Sequence, residues 1–589
     1  MNEHAGIPGT PSTPGVPSTR SAPGTPEGAM GDGSEETTPA YDPSAFKAVF
    51  ETTFTYWAGF KRNTHRYARS TAMSDPATGR SWTYAELGEE VERLAAGLAA
   101  SGVRPGDLVA YQLYNGPEFA LLYLATQRIG ATGSPVNFRL APGETAHVLD
   151  SGLPRAFVYD TAVAESAGQA LELAEHRPAL VAHVPSGQAE DRPLGDSTPF
   201  DELAPRGEGR KPLPAPEGGI YAETTRLYTS GTTGLPKGVP LNNATEVLSA
   251  HDVIMHFPLT PEDRTLNMSP WFHRGGLFSG GPNPVFYVGG EVVPMRHFDA
   301  EAALDLVAER GITFLIGAPT NLERLADAQE RRPRDLSTLR GIVTMGAPLD
   351  RAACLRYQRT LTPRIFNGYG TTEAFWNTFL RPVDLPDHAG TAGRALTDDE
   401  VAVVKVYEDR RAAPDDFAAK DGQEVGEVIV RSPKSGYSYI GRPDEVAENF
   451  RDGWLYIGDL ATWDADEYVT IMGRRDDMIL SGGENVHPVQ VEEVLNEHPG
   501  IADSGVVGAP DPEWGQLVTA YVVRKDPGLT VAEIEKHARA HPMLATYKRP
   551  RAYRFVDALP TTTTGKKLHY RLREQVAKDA AAGLLEHVK

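Results

Sequence analysis

The sequence predicts an α/β protein with doubly wound β-sheets, organised as a large body and a smaller appended unit. Its 589 residues are too many for one ordinary domain and suffice for several hydrophobic cores. Short apolar strands alternate with helical stretches through the first half of the chain, as they do in doubly wound sheets. Hydrophobic residues make up 40% and charged residues 23% of the chain, which is typical of a soluble globular protein. No run of about 18 apolar residues occurs, so we expect no membrane span.

The charge and the cysteine content argue against several classes of function. A formal net charge of -21 repels phosphodiester backbones, and no local basic patch stands out, so we expect no nucleic-acid partner. The single cysteine, Cys354, rules out an intrachain disulfide and a multi-cysteine zinc site. This cysteine content fits a reducing compartment, so we expect a cytoplasmic protein.

Residues 1–42 differ in composition from the rest of the chain. They are rich in Pro, Gly, Ser and Thr, and they contain almost no large apolar residues. Such a segment cannot bury enough apolar surface to fold, so we predict a disordered tail. It also lacks the basic start and the apolar core of a secretory signal. We interpret it as a cytoplasmic tail or as the result of a translation start placed too far upstream.

Order is predicted to begin near Phe46, and the first clear helix follows a capping box. Thr83–Glu86 has the capping-box pattern, and Gly102 is placed to end the helix. The apolar residues of this helix recur at helical spacing: Leu87, Val91, Leu94 and Leu98. A strand over Leu108–Leu113 and a helix over Pro117–Ile129 come next, and this alternation underlies the predicted doubly wound sheet.

The stretch Tyr228–Val239 has the composition of an anion-binding loop. Its glycines let the backbone approach a polyphosphate, and its hydroxyl side chains can donate hydrogen bonds. Lys237 adds a positive charge. The stretch is not a Walker loop, because Lys237 follows a proline and precedes a glycine instead of a serine or threonine that opens a helix. A polar turn between two strands is the alternative interpretation.

Tyr228–Val239 resembles the nucleotide-binding signature of the adenylate-forming superfamily, which contains acyl- and aryl-CoA synthetases, peptide-synthetase adenylation domains and beetle luciferases. The resemblance implies that the following residues bind ATP: Thr229, Ser230, Gly231, Thr232, Thr233 and Lys237. It also implies a large N-terminal domain over residues 43–475, in which doubly wound sheets are joined by a β-barrel-like part. A small, mobile α+β domain over residues 476–589 is expected to follow.

Three residues are assigned to the acyl pocket by resemblance. Ser269–Leu277 resembles the family motif in which an aromatic residue or a histidine gates this pocket, which makes His273 a candidate. A structural histidine among aromatic residues is the alternative. Met345 stands where the family commonly has glycine, and Trp376 follows Phe375 where the family often has small residues. Met345 is expected to fill space beside either the base or the acyl group, and Phe375 and Trp376 are expected to narrow the site for the acid.

Asn367–Glu373 is the second strong signal in the sequence. A loop that combines an aromatic face, glycines and a carboxylate can stack on a purine and hold a hard cation. By resemblance, Tyr369 stacks on adenine, Thr372 acts at the phosphate and acyl groups, and Glu373 is catalytic as a ligand of Mg²⁺. The resemblance implies further nucleotide contacts from Gly346, Ala347, Asn367 and Gly368. A turn with a buried tyrosine is the alternative.

The segments near the predicted domain boundary supply ribose contacts and a hinge. Asp459 has two acceptor oxygens that suit a pair of ribose hydroxyls. The segment Gly473–Ile479 resembles the family's interdomain junction, which implies that Arg474 contacts ribose or phosphate and that Asp476 is the hinge. A charged surface loop is the alternative.

The last motif lies in a loop of threonines, a glycine and two lysines near the C-terminus. It resembles the family's terminal motif, in which the lysine after Thr-Gly is catalytic and contacts ATP, and this assigns Lys566. Lys567 occupies a position that is usually apolar in the family, so mutation of each lysine must decide the register. A solvated basic loop is the alternative.

Together these motifs identify the chain as a member of the superfamily, closest to acyl- and aryl-CoA ligases. We expect it to activate a small carboxylic acid with ATP and Mg²⁺ to an acyl-adenylate and then to transfer the acyl group to CoA. An enzyme that uses a carrier-protein thiol, an amine or a small inorganic nucleophile is the nearest alternative. A non-catalytic nucleotide sensor is a further one, which the presence of both Lys566 and Glu373 argues against. The sequence leaves the acid and the oligomeric state open.

Overall fold

The computed structural model describes residues 41–188, 190–230, 235–407, 410–481, 484–511, 514–541, 544, 546–561 and 567–588. The chain divides into two compact units, Met1–Lys47 and Ala48–Lys589. Nearly all of the predicted tail, residues 1–40, lies outside the described residues. The domain division at residues 475 and 476 stays a proposal.

The helices of the described residues are α1 Ser44–Thr53, α2 Tyr56–Arg66, α3 Tyr84–Ala100, α4 Pro117–Ile129, α5 Pro142–Gly152, α6 Ala164–Leu173, α7 Asn243–His256, α8 Arg274–Phe278, α9 Pro282–Val288, α10 Ala300–Arg310, α11 Pro319–Arg331, α12 Arg351–Thr360, α13 Pro443–Asn449, α14 Pro488–Asn496, α15 Val531–Ala540 and α16 His569–Ala581.

The strands are β1 Thr71–Ser74, β2 Ser81–Thr83, β3 Leu108–Gln112, β4 Thr132–Pro135, β5 Ala156–Asp160, β6 Leu180–Val184, β7 Thr198–Pro199, β8 Glu223–Ser230, β9 Pro236–Asn242, β10 Arg264–Asn267, β11 Glu291–Val293, β12 Phe314–Gly317, β13 Gly341–Met345, β14 Ile365–Thr371, β15 Phe375–Leu380, β16 Arg394–Ala395, β17 Glu400–Val404, β18 Gly426–Arg431, β19 Phe450–Arg451, β20 Trp454–Trp463, β21 Val469–Arg474, β22 Ile479–Ser481, β23 Glu484–Val486, β24 Ile501–Asp511, β25 Gly515–Arg524, β26 Ala552–Val556 and β27 Glu586–His587.

Two large, mostly parallel sheets form the body of the protein. One has the strand order β7-β6-β5-β3-β4-β8-β9, and the other has the order β16-β15-β14-β13-β12-β10-β11-β1-β2. In both sheets helices connect the parallel strands, so the predicted α/β class is confirmed. Helix α4 is buried at nearly every position, which explains why its sequence has no polar face.

Two smaller sheets complete the fold. An antiparallel sheet with the order β17-β18-β20-β19, to which β21 is added beside β20, occupies the place of the expected barrel-like part. The last sheet has the order β23-β22-β25-β26-β27, with β24 paired to β25, and helices α14, α15 and α16 belong to the same stretch of chain. This is the small α+β unit that the sequence predicts. Its apolar core includes Ile479, Val506 and Ile534.

The capping box and the helical spacing predicted for α3 are confirmed. Thr83 caps α3 through a complete capping box with Glu86, and the four apolar residues that define the helical period are buried. Cys354 is buried and free, which agrees with a packing role. None of the helices in the described stretches has both the length and the apolar character needed to span a membrane.

Candidate active site

The candidate site lies where the carboxyl ends of β13 and β14 adjoin. These strands are parallel, and their register pairs Thr344 with Asn367 and Met345 with Gly368. The residues that follow each strand therefore emerge at the same edge, which is where open α/β sheets bind ligands. The predicted adenine-side residues are therefore neighbours, since Gly346 directly follows β13 and Tyr369 lies near the end of β14.

Gly346 leaves open space at this edge. Its φ is +83°, a left-handed conformation that favours glycine, and apart from its two chain neighbours no described residue has a heavy atom within 4 Å of the position that a Cβ atom would take. Ala347 follows and is half-buried. Asn367 and Gly368 are buried in the strand. The arrangement leaves room for a planar group beside the end of β14.

A hydrogen-bonded trio joins Tyr369, Asp459 and Arg474. The Tyr369 hydroxyl donates to Asp459 Oδ2 at 2.7 Å, and Arg474 Nη1 donates to Asp459 Oδ1 at 2.7 Å. Strands β20 and β21 pair Asp459 directly with Arg474, which explains why these two residues meet. Burial and the Asp459 carboxylate raise the pKa of Tyr369 well above its usual value, so its hydroxyl stays a donor. The trio fixes the Tyr369 ring at the mouth of the site.

The candidate phosphate loop is carried by the hairpin β8–β9. Thr229 pairs with Lys237 across this hairpin, and Ser230 ends β8. Lys237 Nζ lies 3.2 Å from Glu445 Oε2 and 3.9 Å from the centroid of the Tyr439 ring. The predicted contacts Gly231, Thr232 and Thr233 lie outside the described residues.

Tyr439 links this hairpin to the turn that carries Glu373. Its hydroxyl donates to Glu373 Oε1 at 2.8 Å, and the Gly436 amide donates to the Glu373 carbonyl at 2.9 Å. One tyrosine thus contacts both the Lys237 ammonium and the Glu373 carboxylate. The fold brings together the two strongest sequence signals, which are more than 130 positions apart in the chain.

The three residues assigned to the acyl pocket pack around the same strands. Met345 is buried, and its sulfur lies 3.1 Å from the position of a Cβ atom built on Gly275 in α8. The Trp376 indole covers Gly368, with its Nε1 atom 2.6 Å from a Cβ atom built there. Trp376 also packs against Phe375 and Phe379, with ring centroids 4.9 and 4.7 Å away. These bulky groups fill the space behind β14.

His273 precedes α8 and packs against Phe272, with ring centroids 4.4 Å apart. Burial, assisted by the charge of Arg139, lowers the pKa of His273 to about 4, so the imidazole is neutral at physiological pH. Its Nε2 atom is buried and has no hydrogen-bond partner among the described residues. A neutral imidazole with one uncommitted nitrogen can contact a polar group of a substrate.

The predicted hinge, Asp476, lies between one residue that contacts the large body and one that contacts the small unit. Arg475 donates to Glu427 Oε2 at 2.9 Å and to the Tyr407 carbonyl at 2.8 Å, both in the large body. Asp477 instead contacts Arg573 in α16 of the small unit. The anchors change sides across Asp476, whose backbone lies in a short 3₁₀ turn.

The two lysines of the terminal motif differ in their placement. Lys566 lies outside the described residues. Lys567 Nζ is 2.9 Å from Glu492 Oε2 and 2.9 Å from Asp503 Oδ1, and both carboxylates belong to the small unit. Glu492 is buried, and Lys567 compensates its charge together with His569, whose Nε2 lies 2.6 Å from Glu492 Oε1. Lys567 therefore has a structural role, which favours Lys566 as the lysine that reaches a substrate.

Sequence reasoning missed four residues that contact the site: Arg274, Lys434, Tyr439 and Glu445. Lys434, Tyr439 and Glu445 lie in segments for which the sequence indicates no motif, and Arg274 lies within Ser269–Leu277 without a role assigned to it. Arg274 adjoins His273 in the chain, and this adjacency was the one available signal.

We predict that Asp459→Ala raises the KM for ATP about 10–100-fold. Hydrogen bonds to charged groups contribute about 1.5–3 kcal/mol, and about 1.4 kcal/mol corresponds to a factor of ten. Asp384→Ala is a matched control, because Asp384 also accepts from a tyrosine hydroxyl, that of Tyr468, and pairs with an arginine outside this site. Equal changes in KM for both variants, measured by steady-state kinetics, would contradict the assignment.

Comparisons with known proteins agree with this geometry. The sequence model of the family described as AMP-binding enzyme matches residues 60–440, and the model of the AMP-binding enzyme C-terminal domain matches residues 490–566. The chain is 35% identical over 515 residues to a feruloyl-CoA synthase of Amycolatopsis sp, covering 86% of this chain and 97% of that protein. It is 35% identical over 524 residues to ScoC of Streptomyces coeruleorubidus, a fatty acid–[acyl-carrier-protein] ligase, covering 87% and 96%.

A solved structure shares the fold. The crystal structure of ATP-bound MatB from Rhodopseudomonas palustris superposes with a TM-score of 0.77 at 28% sequence identity. The similarity covers 89% of this chain and 99% of that one.

Proposed function

This chain belongs to the AMP-binding enzyme family, and on that premise we propose how its residues carry out the reaction. The protein is an AMP-forming acid ligase. It activates a carboxylic acid with ATP to an acyl-adenylate, releases pyrophosphate, and transfers the acyl group to CoA with release of AMP. The observation that carries the assignment is the trio of Tyr369, Asp459 and Arg474 beside the open position at Gly346.

The nucleotide base and ribose are assigned to this corner. Adenine stacks on the Tyr369 ring, which its hydrogen bond to Asp459 holds in place. Each carboxylate oxygen has more than one lone pair, so Asp459 can accept from the ribose hydroxyls while it keeps its present contacts. Arg474 remains close enough to contact the ribose or the α-phosphate.

The phosphates are assigned to the β8–β9 loop and Lys237. The Lys237 ammonium is paired with Glu445. Phosphate oxygens would compete with this carboxylate for the lysine, because both groups accept charge-assisted hydrogen bonds from an ammonium. We expect Glu445 to release Lys237 when ATP binds.

The donor set near Glu373 fits Mg²⁺. The described residues contain no group of three or more His, Cys, Asp or Glu side chains that could hold a metal ion by themselves. A single carboxylate beside phosphates is the usual arrangement for Mg²⁺, which keeps waters and takes substrate oxygens as ligands. Glu373 supplies that carboxylate, and Tyr439 orients it. Charge on the departing pyrophosphate is neutralised by Mg²⁺ when the ion is bound.

In the first half-reaction, an oxygen of the substrate carboxylate attacks the α-phosphorus, and the bond to pyrophosphate breaks. The protein contributes chiefly positioning and charge neutralisation, as in phosphoryl transfer generally. Thr372 is assigned to orient the reacting groups, and Lys566 is assigned to the charge that develops at the α-phosphate. The assignment of Thr372 rests on the family motif and on its location in the β14–β15 turn, and the assignment of Lys566 rests on the family motif alone.

In the second half-reaction, a thiolate attacks the adenylate carbonyl, and AMP leaves with the bridging oxygen. The attacking thiol needs a path to the adenylate carbonyl, and the arrangement used in the first half-reaction does not leave this path open. We therefore propose that the small unit rotates about Asp476 between the two half-reactions. Support comes from the change of anchors across this residue, with Arg475 tied to the body and Asp477 tied to α16.

The identities of the thiol acceptor and of the carboxylic acid substrate can be tested in one experiment. CoA is the expected thiol, and the similarity to ScoC favours a carrier-protein thiol as the second candidate. A cytoplasmic location is proposed from the cysteine content. The bulk of Phe375 and Trp376 behind β14 supports a compact acid over a long acyl chain.

The experiment is a pyrophosphate-release assay over a panel of aryl, arylalkenoic and medium-chain acids, with CoA, with a phosphopantetheinylated carrier protein, and without either. We expect acid-dependent pyrophosphate release, with multiple turnovers only when CoA is present. Turnover with the carrier protein and not with CoA would identify the carrier protein as the acceptor. Absence of acid-dependent release over the whole panel, with ATP bound, would favour a nucleotide sensor.

A further inference from the structure

The turn between β14 and β15 is held in an unfavourable conformation. It carries Thr372 and Glu373, and it leads directly into Trp376. Phe375, the first residue of β15 after the turn, has a φ of +62°, a left-handed conformation that is unfavourable for a bulky residue. A strained backbone persists only where neighbouring groups hold it. The contacts that hold this turn therefore determine where the Glu373 carboxylate points.

A buried arginine holds the first end of the turn. Arg274 Nη1 donates to the Thr372 carbonyl at 2.6 Å, and Arg274 Nη2 donates to the Lys434 carbonyl at 2.9 Å and to Ser249 Oγ at 3.2 Å. The Arg274 side chain is 3% exposed. Its guanidinium also lies 5.4 Å from the centroids of the Phe278 and Phe375 rings. The residue thus joins α8, the turn and the segment that follows β18.

A buried lysine holds the second end of the turn. Lys434 Nζ donates to the Trp376 carbonyl at 3.0 Å and to Asp399 Oδ2 at 2.8 Å, and it also pairs with Asp252 of α7. These three acceptors use all three donors of the ammonium. Lys434 is 1% exposed, and the two aspartates are buried as well. The lysine is therefore fixed by carboxylates that belong to two other parts of the fold.

The same short segment also contacts Glu373 itself. Lys434 is followed by Gly436, whose amide donates to the Glu373 carbonyl, and by Tyr439, whose hydroxyl donates to the Glu373 carboxylate. The segment from 434 to 439 thus contacts the turn at its metal-binding residue and at its far end. The Arg274 guanidinium links the turn to this segment, since it donates to the carbonyls of both Thr372 and Lys434.

Burying one lysine with two aspartates is expensive, and an apolar replacement of similar volume is often as stable. Stability alone therefore does not account for the cluster. We propose that Lys434, fixed by Asp252 and Asp399, is a positioning residue for adenylate formation, because it sets the turn that presents Glu373 and Thr372 to the phosphates. This inference rests on the proposed function, and it predicts an effect on the first half-reaction alone.

The test uses a triple variant, Lys434→Met with Asp252→Asn and Asp399→Asn. Removal of Lys434 alone would leave two buried carboxylates uncompensated and endanger folding, whereas the triple variant is neutral throughout. Partners that orient a metal ligand typically change metal affinity or activity about 10–100-fold when they are lost. We expect single-turnover adenylate formation to slow by that factor, and the Mg²⁺ concentration for half-maximal rate to rise. Thioester formation from supplied acyl-adenylate should change less than about twofold, because it does not use the Glu373 carboxylate.

The matched control is Arg128→Met. Arg128 is also a buried cation, and it donates to the carbonyls of Leu213 and Pro214 and pairs with Glu92, outside the candidate active site. This variant should lower the melting temperature without a change in Mg²⁺ dependence or in the ratio of the two half-reactions. Wild-type protein that shows no acid-dependent pyrophosphate release would refute the proposed function, and the positioning role that rests on it would fall as well. With an active wild type, a triple variant that keeps normal Mg²⁺ dependence, or that loses both half-reactions equally, would overturn the positioning role.

Discussion

Lys566→Ala is expected to slow adenylate formation by about 10²–10³-fold and to spare thioester formation from a supplied acyl-adenylate. The lysine is assigned to charge that develops at the α-phosphate, and loss of one such group typically costs this factor. The second half-reaction does not develop that charge, so it should proceed near its normal rate. Rapid-quench measurement of acyl-adenylate and of acyl-CoA, each in a single turnover, separates the two effects.

Lys567→Met is the control for the register of the motif. Lys567 compensates the buried carboxylate of Glu492 and contacts Asp503, so its loss should lower the melting temperature of the protein. Adenylate formation should remain within a few-fold of normal at temperatures where the variant is folded. A selective loss of adenylate formation in Lys567→Met, with Lys566→Ala unaffected, would move the catalytic assignment by one residue.

The parts of the site that the sequence predicted are those in which a local pattern determines chemistry. The loop near Lys237 and the turn at Glu373 each combine glycines with the polar groups that a nucleotide needs, and the fold places both beside Tyr439. The sequence assigns Asp459 to ribose and Arg474 to ribose or phosphate from separate motifs, and the β20–β21 pairing brings the two residues into direct contact. Short motifs of this kind are informative because backbone conformation and side-chain chemistry are specified by the same few residues.

The parts that the sequence did not predict depend on contacts between distant segments. Lys434 meets Asp252 and Asp399 only after three separate elements pack, and nothing in its neighbours distinguishes it from a solvated lysine. The same holds for the pairing of Lys237 with Glu445, which are 208 positions apart. The sequence indicates a bulky residue at Trp376, but the packing of its indole over Gly368 depends on the register of β14 and β15, which the sequence does not specify.

Asp476→Pro is expected to retain most single-turnover adenylate formation and to lose thioester formation by about 10²-fold. Proline fixes φ near −65° and removes the backbone N–H, so it restricts rotation at the proposed hinge. The residues of the first site are unchanged. A displacement of about 1 Å from productive geometry can cost about 10²-fold in rate, so a small unit that cannot complete its rotation should stall the second step.

Asp476→Ala is the control, since it removes the side chain and leaves the backbone free. It should support both half-reactions. Proline also disfavours the helical region for the preceding residue, Arg475, so circular dichroism and the melting temperature must show that the variant is folded. Equal loss of both half-reactions in a folded Asp476→Pro variant would mean that the two steps share one conformation or that Asp476 serves the first step directly.

The central claim is that a carboxylate attacks the α-phosphorus of ATP and that a thiol then displaces AMP from the carbonyl. The most direct measurement follows oxygen. With an acid labelled with ¹⁸O in its carboxylate, turnover in the presence of ATP and CoA should transfer one labelled oxygen to the phosphate of AMP and leave pyrophosphate unlabelled, as mass spectrometry of the products can determine. Unlabelled AMP, or ADP with labelled orthophosphate, would contradict the account, because neither product can arise from an acyl-adenylate that is cleaved at its carbonyl carbon.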